Sequence, residues 1–296
     1  MDEEPVVYID GEYYPKSQAK ISVFDHGLLY GDGVFEGIRA YKGVVFKLRE
    51  HIDRLYNSAK AIMLDMPLVK EEMINAVLES LRKNNMQDAY IRLIVTRGVG
   101  DLGLDPRKCQ KPTVIIIADH IRLYSSEAKE RGIKAMIVWV RRNPVDTASH
   151  EIKSLNYLNS VLGKIEANIA GFDEAICLDK NGYVSEGVGE NLFIVKNGKI
   201  LTPPSSTGLL AGITREVIMK LAEKLGYTVV ERNITPADLF SADEAFFTGT
   251  AAEITPIAEV NRRVIGECKP GPVTRNLMSA FEKLLGDPEE GIPIYA

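Results

Sequence analysis

The chain carries, just past its middle, the stretch Glu151-Ile152-Lys153-Ser154-Leu155-Asn156-Tyr157. Most lysines are solvated on protein surfaces, whereas a lysine that acts as a nucleophile must be partly neutral, which requires desolvation or nearby positive charge. An apolar helix is predicted from Leu155 to Ala170. Lys153 lies just before its N-terminus and is therefore a candidate for partial burial. If the helix begins near Lys153, Tyr157 lies on the same face, four residues further on.

Three later segments are polar, sparse in large side chains and flanked by glycine. They are Ser185-Glu186-Gly187-Val188-Gly189-Glu190-Asn191-Leu192-Phe193, Gly212-Ile213-Thr214-Arg215 and Thr248-Gly249-Thr250-Ala251-Ala252-Glu253. Glu186 is either an exposed turn carboxylate or a buried one that could keep a pyridine nitrogen protonated. The second segment opens a predicted helix whose N–H groups would bind phosphate, although Thr214 is equally suited to plain helix capping. The third segment could cup an anion with backbone N–H and hydroxyl groups.

Arg54, in the predicted helix around Arg49-Glu50-His51-Ile52-Asp53-Arg54-Leu55, allows two interpretations. It could form a salt bridge on the helix surface, or it could clamp a phosphate through charge-assisted hydrogen bonds. An amine, a carboxylate and several phosphate-binding groups are what an aldehyde cofactor with a phosphate tail requires. Taken with Lys153 and Glu186, the set predicts an enzyme that uses pyridoxal 5′-phosphate.

The composition is that of an ordinary globular protein, with 45% apolar and 26% charged residues and a net charge of −5. The charges are interleaved, so neither a nucleic-acid-binding nor a membrane-binding surface is expected. Cys109, Cys177 and Cys268 are widely spaced and form no CxxC pair, which argues against a disulfide framework or a zinc site. Cys177 is expected in the core, and the compartment is expected to be the cytoplasm.

Other familiar patterns do not indicate a function. The run Gly98-Val99-Gly100-Asp101-Leu102-Gly103 matches GxGxxG but is followed by Asp105-Pro106 rather than a helix, so it is interpreted as a loop between strands. The histidines lack metal-ligand spacing and Ser185 misses the nucleophile-elbow pattern by one residue, so neither a metal site nor a hydrolase triad is predicted.

The order of predicted elements indicates a mixed α+β protein with two domains rather than a regular βαβ alternation. Hairpins are predicted at residues 6–14 and 33–47, and the polar segment 122–132 is the predicted interdomain linker. It separates a small α+β domain, 1–121, from a larger domain, 133–296. In the helix after Lys153, four side chains are expected to face inward: Leu158, Val161, Leu162 and Ile165.

As a set, the segments resemble the class IV aminotransferases, and most closely the branched-chain-amino-acid aminotransferases. The matching residues span about residue 5 to 285 in the expected order. They are Tyr30-Gly31-Asp32-Gly33-Val34-Phe35-Glu36-Gly37-Ile38-Arg39, Glu50-His51-Ile52-Asp53-Arg54-Leu55, Ala89-Tyr90-Ile91-Arg92, Lys153 with Asn156-Tyr157-Leu158, Ser185 to Phe193, Gly212-Ile213-Thr214-Arg215 and Gly249 to Pro256.

The resemblance implies a small domain followed by a larger domain with a β-barrel-like core, and reversible transfer of the amino group of leucine, isoleucine or valine to 2-oxoglutarate. Lys153 would form a Schiff base with pyridoxal 5′-phosphate and move the proton at the substrate Cα. The implied cofactor-binding residues are Arg54, Lys153, Tyr157, Glu186, Leu210, Gly212, Ile213, Thr214 and Thr250. The implied substrate-binding residues are Tyr30, Phe35, Gly37, Tyr90, Arg92, Tyr124, Thr250, Ala251 and Ala252.

In this family a loop matching the one with Leu102 and Leu104 comes from the partner subunit, so the resemblance implies a homodimer or a multiple of dimers. Small-molecule amino acids and 2-oxo acids are the implied partners. Three related activities share the cofactor apparatus: the D-amino-acid aminotransferases, which are the main alternative, the aminodeoxychorismate lyases and the (R)-selective amine aminotransferases. A protein that kept the fold without the chemistry would be expected to have lost Lys153 or Glu186, and both are present.

Overall fold

The structure, a computed structural model, describes residues 4–121 and 123–295. The strands over these residues are β1 (Val6–Ile9), β2 (Glu12–Pro15), β3 (Gly33–Tyr41), β4 (Val44–Phe46), β5 (Ala89–Thr96), β6 (Thr113–Asp119), β7 (Ile133–Arg141), β8 (Glu174–Leu178), β9 (Val184–Gly187), β10 (Asn191–Lys196), β11 (Lys199–Thr202), β12 (Thr228–Glu231), β13 (Glu244–Gly249), β14 (Glu253–Val260), β15 (Arg263–Val264) and β16 (Gly291–Pro293). The helices are α1 (His26–Tyr30), α2 (Leu48–Ala61), α3 (Lys70–Lys83), α4 (Ser126–Arg131), α5 (Leu158–Ile169), α6 (Ile213–Lys224), α7 (Pro236–Phe240) and α8 (Pro272–Glu282).

The chain divides into two compact units. Unit 1 consists of Met1–Ile121, Ile152–Asn156 and Leu284–Ala296, and unit 2 consists of Arg122–Glu151 and Tyr157–Lys283. The segment predicted as a linker, 122–132, belongs to unit 2 and contains α4; its first residue, Arg122, lies outside the described residues. The C-terminal residues, predicted in the large domain, belong to unit 1 because β16 pairs with β4.

Unit 1 is built on one antiparallel sheet in the order β16-β4-β3-β5-β6-β1-β2. Both predicted hairpins are confirmed. Their turns, Asp10-Gly11 and Lys42-Gly43, have positive φ at both positions, which matches the right-handed twist of the strands that they connect. Helices α2 and α3 pack against this sheet and bury side chains such as Leu55 and Val77.

The loop prediction for the glycine-rich run after β5 is also confirmed. Residues 97–112 connect β5 to β6, and within them a single 3-10 turn forms at Pro106–Lys108. None of the helices in residues 4–121 and 123–295 is long and apolar enough to cross a membrane.

Unit 2 contains a closed β-barrel. Its sheet has the order β12-β11-β10-β13-β14-β7-β8-β9, and β9 also pairs with β10, which closes a ring from β10 through β13, β14, β7 and β8 to β9. The closing pair places Asn191 opposite Glu186. The predicted barrel-like core is thereby confirmed. Cys177 lies on strand β8 of this barrel and is completely buried, as predicted.

The prediction for the apolar face of α5 is wrong. The helix begins at Leu158 rather than at Leu155. Its buried side consists of small residues, and a Cβ added to Gly163 would lie 3.2 Å from Val188 Cγ1. The small residues let the helix approach the barrel closely. They occupy the side that faces the barrel, so the bulky apolar side chains lie on the opposite, exposed side. Those exposed side chains are Leu158 (69%), Val161 (49%), Leu162 (46%) and Ile165 (47%).

Candidate active site

Lys153 lies in an extended segment of unit 1, not at the start of a helix. Its carbonyl accepts a hydrogen bond from the N–H of Phe35 at 3.0 Å, and the N–H of Leu155 donates to the carbonyl of Gly33 at 3.0 Å. These ladder bonds hold residues 152–156 alongside β3, and α5 begins only after them. The prediction that Lys153 and Tyr157 share a helical face is therefore wrong.

The amine of Lys153 lies over an aromatic ring. Its Nζ is 4.5 Å from the ring centroid of Phe35, and the guanidinium carbon of Arg92 is 4.6 Å from the same centroid. Aromatic faces attract cations because their π-electrons carry partial negative charge. The N–H of Lys153 donates to Oγ of Ser58 at 3.2 Å, which fixes the backbone from the side of α2. Phe35 therefore positions two cationic side chains of the predicted site.

Arg54 is clamped by a buried carboxylate. Its Nε donates to Oε1 of Glu36 at 2.7 Å and a terminal nitrogen donates to Oε2 at 2.8 Å. Nδ1 of His51 lies 2.8 Å from the same Oε2. Burial alone would raise the pKa of Glu36, but the charges and hydrogen bonds of Arg54 and His51 outweigh it and lower the pKa to about 2. Burial lowers the pKa of His51. The positive charges of Arg54 and Lys153 lower this pKa further, and the carboxylate of Glu36 acts in the opposite direction.

The residues predicted to bind substrate carboxylates meet on neighbouring strands of the same sheet. Gly37 on β3 pairs with Arg92 on β5, and a terminal nitrogen of Arg92 donates to the hydroxyl of Tyr90 at 3.2 Å. A side chain at position 37 would overlap the Tyr90 hydroxyl. Glycine is therefore required at position 37 for this tyrosine to occupy its place.

Tyr30 contacts the loop predicted to serve a partner subunit. Its hydroxyl donates to the carbonyl of Leu102 at 2.5 Å, and Nε2 of His26 lies 2.8 Å from the carbonyl oxygen of Asp101. The side chains of Leu102 and Leu104 are 70% and 78% exposed. The loop backbone is thus anchored while its leucines remain outside the core.

In unit 2, Glu186 is buried and held from three directions. Its Oε2 accepts hydrogen bonds from the N–H of Leu210 and the side-chain amide of Asn191, both at 3.1 Å. Its Oε1 lies 3.2 Å from Nε of Arg142. Of the two alternatives for Glu186, an exposed or a buried carboxylate, the structure shows the buried one. A carboxylate with such donors is oriented and favoured in its charged form.

The predicted phosphate-binding helix is α6, which begins at Ile213 with Gly212 as its N-cap. A side chain at Gly212 would overlap Oδ1 of Asn191, and the amide of Asn191 also donates to the carbonyl of Leu210 at 2.8 Å. Asn191 therefore connects the start of α6 to Glu186. Thr214 is buried in the first turn, where the N–H groups and the helix dipole favour an anion.

The remaining predicted residues of unit 2 lie in three places. Thr250, Ala251 and Ala252 form the turn between β13 and β14. Tyr157 is the N-cap residue of α5, and its ring lies edge-on to His150 with 5.5 Å between centroids. The hydroxyl of Tyr124 donates to Oε2 of Glu174 at 2.9 Å, and burial with nearby carboxylates raises the pKa of Tyr124 strongly.

Sequence reasoning missed the side chains that support these groups. Glu36, His51 and Asn191 lie within the matching motifs but have no role in the sequence-based prediction, and Arg142 lies outside those motifs. Glu36 is an acidic residue between the apolar residues Val34, Phe35 and Ile38 of β3, which is the signal that could have revealed it. Nothing local in the sequence pairs Arg142 with Glu186, because the two residues lie far apart along the chain.

The chemistry of these groups fits pyridoxal 5′-phosphate. Unit 1 provides a primary amine and an arginine fixed by a buried carboxylate. Unit 2 provides an oriented carboxylate for a ring nitrogen, and a glycine-capped helix start and a turn with backbone N–H groups for a phosphate.

Comparison with known proteins identifies close relatives over nearly the whole chain. The family profile described as Amino-transferase class IV matches residues 33–260. A protein of Methanocaldococcus jannaschii, named provisionally as a branched-chain-amino-acid aminotransferase, is 57% identical over 289 residues, which are 98% of this chain and 99% of that protein. The crystal structure of the Escherichia coli branched-chain amino acid aminotransferase matches with a TM-score of 0.93 at 42% identity and covers 95% of each chain.

A third relative was solved with a cofactor adduct. This branched-chain amino acid aminotransferase, whose source is abbreviated T.th., was complexed with N-(5′-phosphopyridoxyl)-L-glutamate and matches with a TM-score of 0.91 at 38% identity. The match covers 97% of this chain and 96% of that one.

The Glu36 network makes a prediction about acid stability. Because the folded-state pKa of Glu36, about 2, lies below its ordinary value of 4.5, its stabilising contribution is complete above about pH 4.5 and is lost as the pH falls towards 2. Glu36→Gln should lower the free energy of unfolding at pH 7 by roughly 3 kcal/mol. The difference from the unsubstituted protein should shrink in urea titrations between pH 7 and about pH 3.5.

Glu71→Gln is the matched control, since Glu71 forms an exposed ion pair with Arg49 and should change stability by less than about 1 kcal/mol. A Glu36→Gln difference that stayed constant across this pH range would contradict the assignment.

Proposed function

The chain belongs to the class IV aminotransferases, and from that premise we propose that it catalyses reversible transamination between branched-chain L-amino acids and 2-oxoglutarate with pyridoxal 5′-phosphate as cofactor. The amino acids are leucine, isoleucine and valine, and the products are the branched-chain 2-oxo acids and L-glutamate. The observation that carries this proposal is the nearly full-length likeness to branched-chain aminotransferases, one of which was solved with a phosphopyridoxyl-glutamate.

When bound, the cofactor supplies an aldehyde and a ring that withdraws electrons from the substrate Cα. Nζ of Lys153 would hold the cofactor and would move the proton at the substrate Cα. Glu186 would keep the ring nitrogen protonated, because an ionised carboxylate stabilises a positive charge there. Tyr157 would donate to the phenolic oxygen, and Leu210 would help to hold the ring.

The phosphate is bound by Arg54 and by the start of α6. Glu36 keeps the guanidinium of Arg54 in place, and arginine binds phosphate oxygens with two parallel hydrogen bonds. Gly212, Ile213 and Thr214 offer the helix start, where backbone N–H groups and the dipole favour an anion. Thr250 adds a hydroxyl and an N–H group.

The same enzyme must accept an apolar side chain in one half-reaction and a carboxylate in the other. Phe35, Gly37 and Ala252 provide apolar contacts. Arg92, assisted by Tyr30, would bind the side-chain carboxylate of glutamate, whereas the hydroxyl of Tyr124 is engaged by Glu174. The α-carboxylate is bound by Tyr90 and by the N–H groups of Thr250 and Ala251. Arg92 lies against the Phe35 ring, so one region offers both an apolar surface and a positive charge.

The working unit is a homodimer or a multiple of dimers, located in the cytoplasm. Support comes from the apolar face of α5, where Leu158, Val161, Leu162 and Ile165 are exposed in the single chain. Contiguous apolar surface of this kind marks interaction sites. Leu102 and Leu104 are exposed as well, as expected for a loop that serves the partner subunit.

The proposed reaction predicts a specific spectral response. L-leucine alone should convert the yellow, cofactor-loaded protein to the colourless amine form, and D-alanine should not. Conversion by D-alanine alone would instead indicate a D-amino-acid aminotransferase. The absorbance is followed after each addition without an acceptor.

Lys153→Ala should reduce transamination of L-leucine by at least about 1,000-fold, because it removes both the nucleophile and the proton carrier. Glutamate formation is measured with a coupled assay. Lys220→Ala is the matched control, since Lys220 is an exposed helix residue paired with Glu216. Retained turnover in the Lys153 variant would refute the role of this lysine.

Arg92→Ala should impair the glutamate half-reaction by about 10- to 100-fold and the leucine half-reaction much less, because a charged hydrogen bond to the second carboxylate is lost. Single-turnover rates with each amino acid separate the two effects. Arg49→Ala, which removes an exposed arginine, is the control. Equal losses with both substrates would show that Arg92 does not bind the second carboxylate.

The exposed face of α5 predicts association in solution. Leu162→Glu together with Ile165→Glu should dissociate the oligomer, because two charges would have to be buried in the contact. The mass in solution of the unsubstituted protein and of the double variant is measured by analytical ultracentrifugation. A monomeric unsubstituted protein, or a double variant with unchanged mass, would exclude this face as the interface.

A further inference from the structure

Arg142 is a completely buried cation that directly follows β7. Its Nε lies 3.2 Å from Oε1 of Glu186, in an ion-pair contact whose N–H is not aligned as a hydrogen bond. A terminal nitrogen donates to the carbonyl of Gly187. Burying a guanidinium away from water is costly unless such partners compensate it.

The opposite side of the same guanidinium contacts a histidine. The second terminal nitrogen of Arg142 lies 3.2 Å from Nε2 of His150 and 3.1 Å from Oγ of Ser160. Arginine can only donate, so Nε2 of His150 is the acceptor. The ring of His150 lies edge-on to Tyr157, with an angle of 61° between the planes. Arg142 is therefore connected to Glu186 directly and to Tyr157 through His150.

We propose that Arg142 is a positioning residue for the cofactor, which keeps Glu186 ionised and aimed at the ring nitrogen and, through His150, fixes the ring of Tyr157. This inference rests on the proposed function, in which Glu186 and Tyr157 bind two different positions of the cofactor ring.

The partners of Glu186 differ in charge. The N–H of Leu210 and the amide of Asn191 orient Oε2, but both donors are neutral. Arg142 brings a full positive charge to Oε1 at a buried position, where charge interactions are stronger than in water. A nearby cation favours the ionised carboxylate, and only an ionised Glu186 can hold a proton on the ring nitrogen.

A purely structural role explains Arg142 less well. Apolar side chains of similar volume usually stabilise a core as well as a buried ion pair does. The contacts of Arg142 also converge on the cofactor-binding residues and their neighbours rather than on distant parts of the barrel. A buried arginine that orients a ligand-binding carboxylate resembles the supporting residues that surround metal ligands.

The test compares Arg142→Met and Arg142→Gln with the unsubstituted protein. The dissociation constant of pyridoxal 5′-phosphate is measured on cofactor-free protein, and the visible absorbance of the loaded protein is titrated against pH. Both variants should bind the cofactor about 10- to 100-fold more weakly. The absorbance midpoint should rise by about one pH unit, because a less positive ring withdraws fewer electrons from the nitrogen that joins it to Lys153. Arg142→Lys, which keeps the charge, should restore part of both values.

Arg97→Met is the matched control. Arg97 is also a buried arginine with a bidentate carboxylate partner, Asp32, and its other hydrogen bonds go to the carbonyls of Ile62 and Met63 rather than to proposed cofactor residues. It should lower the melting temperature and leave the absorbance midpoint unchanged. If Arg142→Met does not fold, Arg142→Gln still allows both measurements.

Glu186→Gln separates this inference from the proposed function. If Glu186→Gln shifts the midpoint and weakens cofactor binding while both Arg142 variants behave like Arg97→Met, Arg142 has only a structural role and the inference is overturned. If Glu186→Gln itself leaves both measurements unchanged, the assigned role of Glu186 fails, and with it the basis for Arg142.

Discussion

The pairing of residues 152–156 with strand β3 is the constraint on which the active-site architecture depends. It joins a short segment to a strand more than 100 residues earlier through the backbone groups of Phe35, Lys153, Gly33 and Leu155. This register brings the Lys153 amine over Phe35. Because side chains alternate along a strand, Phe35 and Gly37 occupy one face of β3 and Glu36 the other. A slip of one residue would exchange these faces.

A second constraint acts in unit 2, where the barrel closes. The closing pair between β9 and β10 sets Glu186 opposite Asn191, and Asn191 in turn contacts Leu210 and excludes any side chain at Gly212. Barrel closure thus fixes the carboxylate and the start of α6 together. Rigid strands are better suited than loops to hold such groups within the tolerance that catalysis requires.

Much of this was accessible from sequence, and the exceptions have physical causes. The hairpins followed from their turn residues, and the glycine-rich run after β5 was correctly interpreted as a loop because no helix pattern follows it. The prediction of the buried face of α5 was wrong because periodicity identifies an apolar stripe on a helix but not whether the barrel or another surface covers that stripe. The prediction that Lys153 lies at the start of a helix was wrong because its segment pairs with β3, which is distant in the sequence. The helix pattern reports only on neighbouring residues.

The buried ion pairs were missed for a related reason. A charged residue such as Glu36 or Arg142 shows its function only when the fold supplies the opposite charge, and the separation in sequence conceals that partner. Local patterns identify residues that could contact a ligand directly, because those residues cluster in short motifs. The side chains that orient them are scattered, and they become recognisable only with the three-dimensional contacts.

The most direct test of the account is to locate the cofactor covalently. The loaded protein is reduced with borohydride, digested and mapped by mass spectrometry. We expect a phosphopyridoxyl group on Lys153 and on no other lysine. Modification of a different lysine, such as Lys129 or Lys164, with Lys153 unmodified, would contradict it.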